Sequence, residues 1–196
     1  MLGTILGCSD FKEPSGLFCK WKIATGESYD WQTLGGEVSG CTQVDALGGE
    51  GTDGVWDHPI DSHFIIPSMI GWPRMRVEVW SRDSGESNTL CGYGFCNIPT
   101  SPGLHDIDIA TWVPCGGIHE RLCSFFLGMK PHLKDPSIVA HTRPGESRFG
   151  LKCESSGVVY LQIEVITSNL EVRPKPNTTR SEATIPFVIL RISSVS

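Results

Sequence analysis

Residues 74–80, "RMRVEVW", alternate strictly: Met75, Val77 and Val79 fall on one side of an extended chain, and Arg74, Arg76 and Glu78 on the other. Residues 158–165 repeat the pattern, with Val159, Leu161, Ile163 and Val165 opposed to Gln162 and Glu164. A period of two with one apolar side fits a strand that covers a core with one face and meets water with the other. Further β-like runs stand at 17–24, 42–45, 55–66, 93–98 and 106–112, and the run at 158 extends to 167. Short strands at this spacing, separated by turn signals, predict an all-β chain folded as an antiparallel β-sandwich of about eight strands.

One stretch departs from that pattern. In residues 117–128, "GIHERLCSFFLG", Ile118, Leu122, Phe125 and Phe126 recur at helical spacing and Gly128 supplies a stop. They predict one short helix in a connection between strands. Residues 129–148 carry Pro131, Pro136 and Pro144 and read as irregular, with one short strand at 138–140. Past residue 170 the composition shifts: "EVRPKPNTTRSEAT" reads as a linker and "IPFVILRI" as a β-prone segment. The chain therefore divides into one domain over 1–170 and a tail over 171–196. An apolar strand at the end of a linker needs an edge to pair with, its own sandwich's first and a partner's second. Ile185, Phe187, Val188 and Leu190 are the tail residues that would meet such a partner.

Charge narrows the function classes. The net charge is −6 and the Lys and Arg residues are scattered singly, so the footprint of a nucleic-acid binder is missing. An anionic lipid surface would not attract the chain overall, which leaves only a local basic patch formed by folding. Residues 1–9 are apolar but lack a basic flank and run into Asp10, Lys12 and Glu13, unlike a signal peptide. The other long apolar run, 185–190, contains Pro186 and is far short of the ~20 residues that span a bilayer. A soluble, cytoplasmic protein is expected. Its 8 cysteines include no Cys-x-x-Cys pair, and most are expected to be reduced, small core residues. The Asn177-Thr178-Thr179 sequon then has no use, because glycosylation needs the secretory lumen.

Residues 77–96, "VEVWSRDSGESNTLCGYGFC", resemble a calcium- and phospholipid-binding (C2-type) sandwich, in which a strand ending in Trp enters an Asp-x-Asp loop. Here Trp80 is followed by Ser81-Arg82-Asp83, so Ser81 occupies the first acidic position and a cation stands beside it. Calcium needs several oxygen ligands, and half of the local pair is gone. Asp57 and Asp61 lie within a β-like run and read as surface polarity; Asp106 and Asp108, two apart on a strand, read as its wet face. For catalysis, His58, His63, His105, His119, His132 and His141 are dispersed, and no nucleophile elbow, phosphate loop or metalloprotease helix is present. The expectation is no catalytic residue, no metal and no cofactor. Gly71-Trp72-Pro73 reads as an anchor before a fixed turn and Ser101-Pro102-Gly103 as a tight turn; Trp21, Trp56, Trp80 and Trp112 read as core or sheet-face residues.

The ordered set "LFCKW" (17–21), "TQVD" (42–45), "HPID" (58–61), "GWPR" (71–74), "GYGFC" (92–96) and "SPG" (101–103) resembles the B9-domain family over about residues 2–170. The resemblance implies a C2-like sandwich without catalysis. It carries structural motif roles onto Gly71, Trp72, Pro73, Gly92, Tyr93, Gly94, Ser101, Pro102 and Gly103. It also implies a scaffold subunit, joined with two sister B9-domain proteins in a hetero-oligomer at the ciliary transition zone and basal body. There the complex supports cilium assembly and gates the entry of membrane proteins, which are further partners. The calcium ligands of the wider superfamily are generally not kept in this family, in agreement with Ser81 and Arg82.

Two functions compete. A scaffold predicts a sandwich face that is apolar and incomplete without its partner. A calcium-independent peripheral phospholipid-binding module instead needs Lys and Arg gathered on one face, from Lys20 and Lys22, Arg74 and Arg76, or Lys130 and Lys134. Acidic neighbours place the lipid module second.

Overall fold

The structure is a computed structural model that describes residues 2–12, 16–25, 32–45, 53–65, 71–82, 88–115, 133, 139, 152–167 and 187–188. Its strands, in chain order, are β1 (Leu2–Ser9), β2 (Leu17–Ala24), β3 (Gln32–Gly36), β4 (Ser39–Cys41) and β5 (Gly54–Ile65). They continue with β6 (Arg74–Arg82), β7 (Asn88–Asn97), β8 (Gly103–Pro114), β9 (Cys153–Val165) and β10 (Phe187–Val188). All pairings are antiparallel and join the strands in the order β10-β5-β1-β9-β8-β7-β6-β2-β4, with β3 on β5. The all-β expectation holds, and the sheet has 10 strands because β1, β3, β4 and β10 join the six expected runs that form strands. Residues 42–45 are not a strand: the pairing to β2 is made by β4, just before them. The helix expected over 117–128 and the short strand at 138–140 lie outside the described residues, Val139 excepted.

The curled sheet makes two layers. Their apolar faces meet in one cluster that includes Ile5, Cys19, Trp21, Trp56, Ile60, Phe64, Val77, Ile109, Leu161 and Ile163. The alternation at 74–80 and 158–165 points into it as expected: Met75, Val77, Val79, Val159, Leu161, Ile163 and Val165 are all buried. Hydrophobic burial of this kind is worth about 1.5–3 kcal/mol for each fully buried large side chain.

The sandwich is closed on both sides. On one side β7 and β8 are paired at Tyr93–Trp112 and Gly94–Thr111. On the other, β3 pairs with β5 and β4 pairs with β2, so the chain changes layer between them. Glu37 N–H donates to Asp61 C=O at 2.8 Å, and Val38 C=O accepts from Ile23 N–H at 2.8 Å. Two consecutive residues thus bond to opposite layers, the corner by which a strand passes from one sheet to the next. Below that corner, the Trp56 indole on β5 donates to Leu17 C=O on β2 at 3.0 Å, and Gln43 donates to Trp56 C=O.

Of the described cysteines, Cys8, Cys19 and Cys91 are buried, Cys96 packs against the core, and Cys41 and Cys153 are exposed. Burial pushes Cys8 up to about 12 and Cys96 up to about 12, and raises Cys19 as well. Only the thiolate reacts with electrophiles. With a maleimide at pH 8, Cys153 is expected to label in the native protein while Cys8, Cys19 and Cys96 label only in denaturant, as read by peptide mass spectrometry. Native labelling of Cys19 at the rate of Cys153 contradicts the packing described.

Candidate functional site

Trp72, Pro73, Gly92 and Gly94 lie at contacts between strands. Trp72 donates its indole N–H to Ile98 C=O at 2.7 Å, and Ile98 N–H donates to Pro73 C=O at 3.3 Å, locking the start of β6 to the end of β7. Gly71 turns into this lock with φ 79°. On β7, Gly92 and Gly94 let β8 approach: a Cβ at Gly94 would stand 2.8 Å from Ile109 Cγ2, and one at Gly92 2.8 Å from Thr111 Oγ1. Ser101 and Pro102 are exposed, Gly103 opens β8 with φ 126°, and Ser101 C=O lies 3.0 Å from His105 Nε2.

Tyr93 faces the outside of its layer yet is buried, its ring tilted against Trp112 with centroids 5.7 Å apart. Its hydroxyl accepts the backbone N–H of Leu133 at 3.2 Å. Burial raises its phenol above the ordinary value, with the Leu133 bond acting in the opposite direction. Leu90, Trp80, Trp112, Leu133 and Val139 complete this second cluster. Leu133 and Val139, from the connection between β8 and β9, thereby pack over outward aromatics of β6, β7 and β8, which answers for Trp80 and Trp112. Trp21 and Trp56 belong to the main core, as expected.

Beside that cluster lies a cationic stripe. The β2–β6 register places Lys20 opposite Glu78 and Lys22 opposite Arg76, all on the outer face with Arg74 and Arg82. Lys20 Nζ stands 4.6 Å from the Trp80 ring centroid and 5.9 Å from that of Phe18, and the Arg82 guanidinium stands 5.8 Å from Phe18. These are cation–π distances. Glu78 is the acid within the stripe, and it is engaged: Arg76 Nη2 is 3.1 Å from one carboxylate oxygen and the Trp80 indole donates to the other at 3.3 Å. The two same-face basic pairs expected from β2 and β6 are thus brought together. Lys130 and Lys134 lie outside the described residues.

The other layer presents a different outer face. Across β5, β1, β9 and β8, one row runs Val55, Gly7, Tyr160, Asp108; the next runs Pro59, Thr4, Gln162, Asp106; the third includes Asp61, Glu164 and Leu104. Val55 is 63% exposed and Leu104 58%, and Leu6 and Tyr160 are also exposed. Asp106 accepts from Gln162 at 2.7 Å, and Asp61 lies 3.0 Å from His63. Asp57, Asp61, Asp106 and Asp108 all face water here, matching the surface reading. Sequence reasoning missed the apolar members: Leu6 sits at a bulge in β1, and Tyr160 and Val55 fall on the polar side of their strands.

The β6–β7 loop, residues 83–87, lies outside the described residues. On its flank, Arg82 N–H donates to Gly16 C=O at 2.9 Å and its side chain reaches Asn88. No group of three or more His, Cys, Asp or Glu placed to hold a metal ion occurs among the described residues. The described histidines are separate: His58 packs near Trp21 with its ring centroid 6.2 Å away, and burial lowers its pKa. His63 and His105 have the partners named above.

Residues 1–166 match the family model B9-C2, described as ciliary basal body-associated, B9 protein. The chain belongs to the B9-domain family. It is 40% identical to human B9 domain-containing protein 2 over 87% of this chain and 94% of that protein. The Drosophila melanogaster protein of that name is 32% identical over 85% of this chain and 90% of its own length. Xenopus laevis B9 domain-containing protein 1 is 31% identical over 83% of this chain and 81% of its own. The B9 domain here is therefore an all-β module of a family associated with the ciliary basal body. Among its described residues no helix is long and apolar enough to cross a membrane.

Proposed function

We propose that this B9 domain is a non-catalytic scaffold subunit at the ciliary transition zone. In this reading it assembles with two sister B9-domain proteins into a hetero-oligomer that supports cilium assembly and gates the entry of membrane proteins. The observation that carries the reading is the outer face of β5, β1, β9 and β8, where Val55, Leu104, Tyr160 and Leu6 stand exposed among acids. Exposed apolar anchors rimmed by polar groups are what a protein interface covers.

The tail belongs to the proposal. Phe187 and Val188 pair with Ile65 and Phe64 of β5, the strand at the border of that face, and Ile65 and Phe64 are also paired by Gln32 and Thr33 of β3. On this reading a partner strand extends the edge at Phe187 and Val188, with Ile185 and Leu190 flanking them in the sequence.

Co-expression with the two sister proteins, followed by size-exclusion chromatography with mass determination, tests the assembly. A stoichiometric complex is expected, lost in Val55→Asp/Leu104→Asp with the circular dichroism unchanged, and weakened by deleting residues 171–196. A chain that elutes as a monomer beside both sisters sinks the scaffold reading.

A further inference from the structure

The strands of this sandwich divide their charge by layer. Every Lys and Arg in a described strand lies on β2 or β6: Lys20, Lys22, Arg74, Arg76 and Arg82. Strands β1, β5, β8 and β9 carry none, and hold Asp57, Asp61, Asp106, Asp108, Glu154 and Glu164. A chain of net charge −6 thus presents one basic face and, on the opposite layer, an acidic one. Such a charge moment orients the molecule in the field of a charged surface.

We propose that the outer face of β2 and β6 seats the chain on an anionic membrane leaflet, with Lys20, Lys22 and Arg82 meeting lipid headgroup phosphates. Lys20 and Lys22 are exposed, and Lys20 and Arg82 stand over the Phe18 and Trp80 rings, which hold the cations outward at the surface. Lys is depleted in protein interfaces, whose cores exclude charge. The single large apolar side chain exposed on this face among the described residues is Phe95, 37% accessible. The surface therefore suits separate headgroups more than a packed protein core. Trp80 lies half-buried in the stripe, the placement of an aromatic at a headgroup boundary. The acidic layer is repelled by the same leaflet and turns outward, leaving Val55 and Leu104 open to protein partners.

Flotation of the full chain with phosphatidylcholine vesicles, with and without phosphatidylserine, tests the inference at physiological salt. Each Lys or Arg near an anionic surface is worth roughly fivefold in partition, so Lys20→Gln/Lys22→Gln is expected to lower binding to the phosphatidylserine vesicles about 25-fold. Asp106→Asn/Asp108→Asn is expected not to lower it. Binding of the unaltered chain should also fall as salt rises, because the Debye length shrinks from ~8 Å at 0.15 M to ~3 Å at 1 M, a readout that needs no variant. Three results overturn the proposal: equal binding with and without phosphatidylserine, no binding at all, or loss of the sister-protein complex in the lysine variant without loss of vesicle binding.

Discussion

Trp56→Ala is expected to lower the unfolding free energy by about 4 kcal/mol, the cost of emptying a large aromatic site in a packed core. Trp56 is 1% exposed, and its indole N–H donates to Leu17 C=O at 3.0 Å, so one side chain both fills the space between the layers and bonds β5 to β2. Domain stabilities are about 5–15 kcal/mol, so this loss removes a large share of the total. Trp56→Phe separates the two contributions. It keeps most of the ring, and Leu17 C=O retains a second donor, Asp45 N–H at 2.8 Å, so that carbonyl is not stranded. Its cost should be well below that of the alanine variant, about 1–2 kcal/mol. Urea unfolding followed by near-ultraviolet circular dichroism measures both. Similar losses in the two variants would mean that the hydrogen bond, and not the packing, ties the layers together.

Gly157→Ala is expected to cost on the order of 3 kcal/mol, although it adds a single methyl group. A Cβ there would overlap Ser9 C=O and stand 2.5 Å from Phe11 Cδ2 and Cε2, and Phe11 is completely buried. Neither the β1 backbone nor a buried ring can retreat cheaply. The same residue grips β8: Gly157 N–H donates to Thr111 Oγ1 at 3.0 Å, and Thr111 Oγ1 donates to Gly157 C=O at 2.7 Å. Pushing β9 away from β1 therefore strains a buried pair of hydrogen bonds as well. Thermal unfolding of Gly157→Ala beside Gly103→Ala measures the contrast in space, because a Cβ at Gly103 meets nothing within 4 Å and its penalty comes from its φ of 126° alone. Equal midpoints for the two variants would refute the close approach.

The legibility of each strand followed from how its burial is shared between faces. β6 and β9 carry one apolar face each, so Met75, Val77, Val79 and Val159, Leu161, Ile163, Val165 declared themselves. β1 did not: it lies between β5 and β9, its Gly3 and Gly7 leave no alternation, and a bulge between Ile5 and Gly7 interrupts its register. β3 and β4 were missed because they are short and largely exposed, and their role is to turn the corner at Glu37 and Val38. The glycines of the Gly/Pro motifs were legible because a positive φ, as at Gly71 and Gly103, or a close approach, as at Gly92 and Gly94, is a backbone property that composition announces.

What the sequence determined alone was the kind of object. Period-two alternation fixes strands, turn residues fix their ends, and an ordered set of motifs identified a family that the comparisons establish. What only the tertiary structure decided was which strands are neighbours. Lys20 and Lys22 are some fifty residues from Arg76 in the chain, yet the β2–β6 pairing sets Lys22 opposite Arg76. Val55 and Tyr160, about a hundred residues apart, share one row through Gly7. Alternation is set by local backbone geometry, whereas a surface is set by register between distant strands, and register depends on the core that all of them close together.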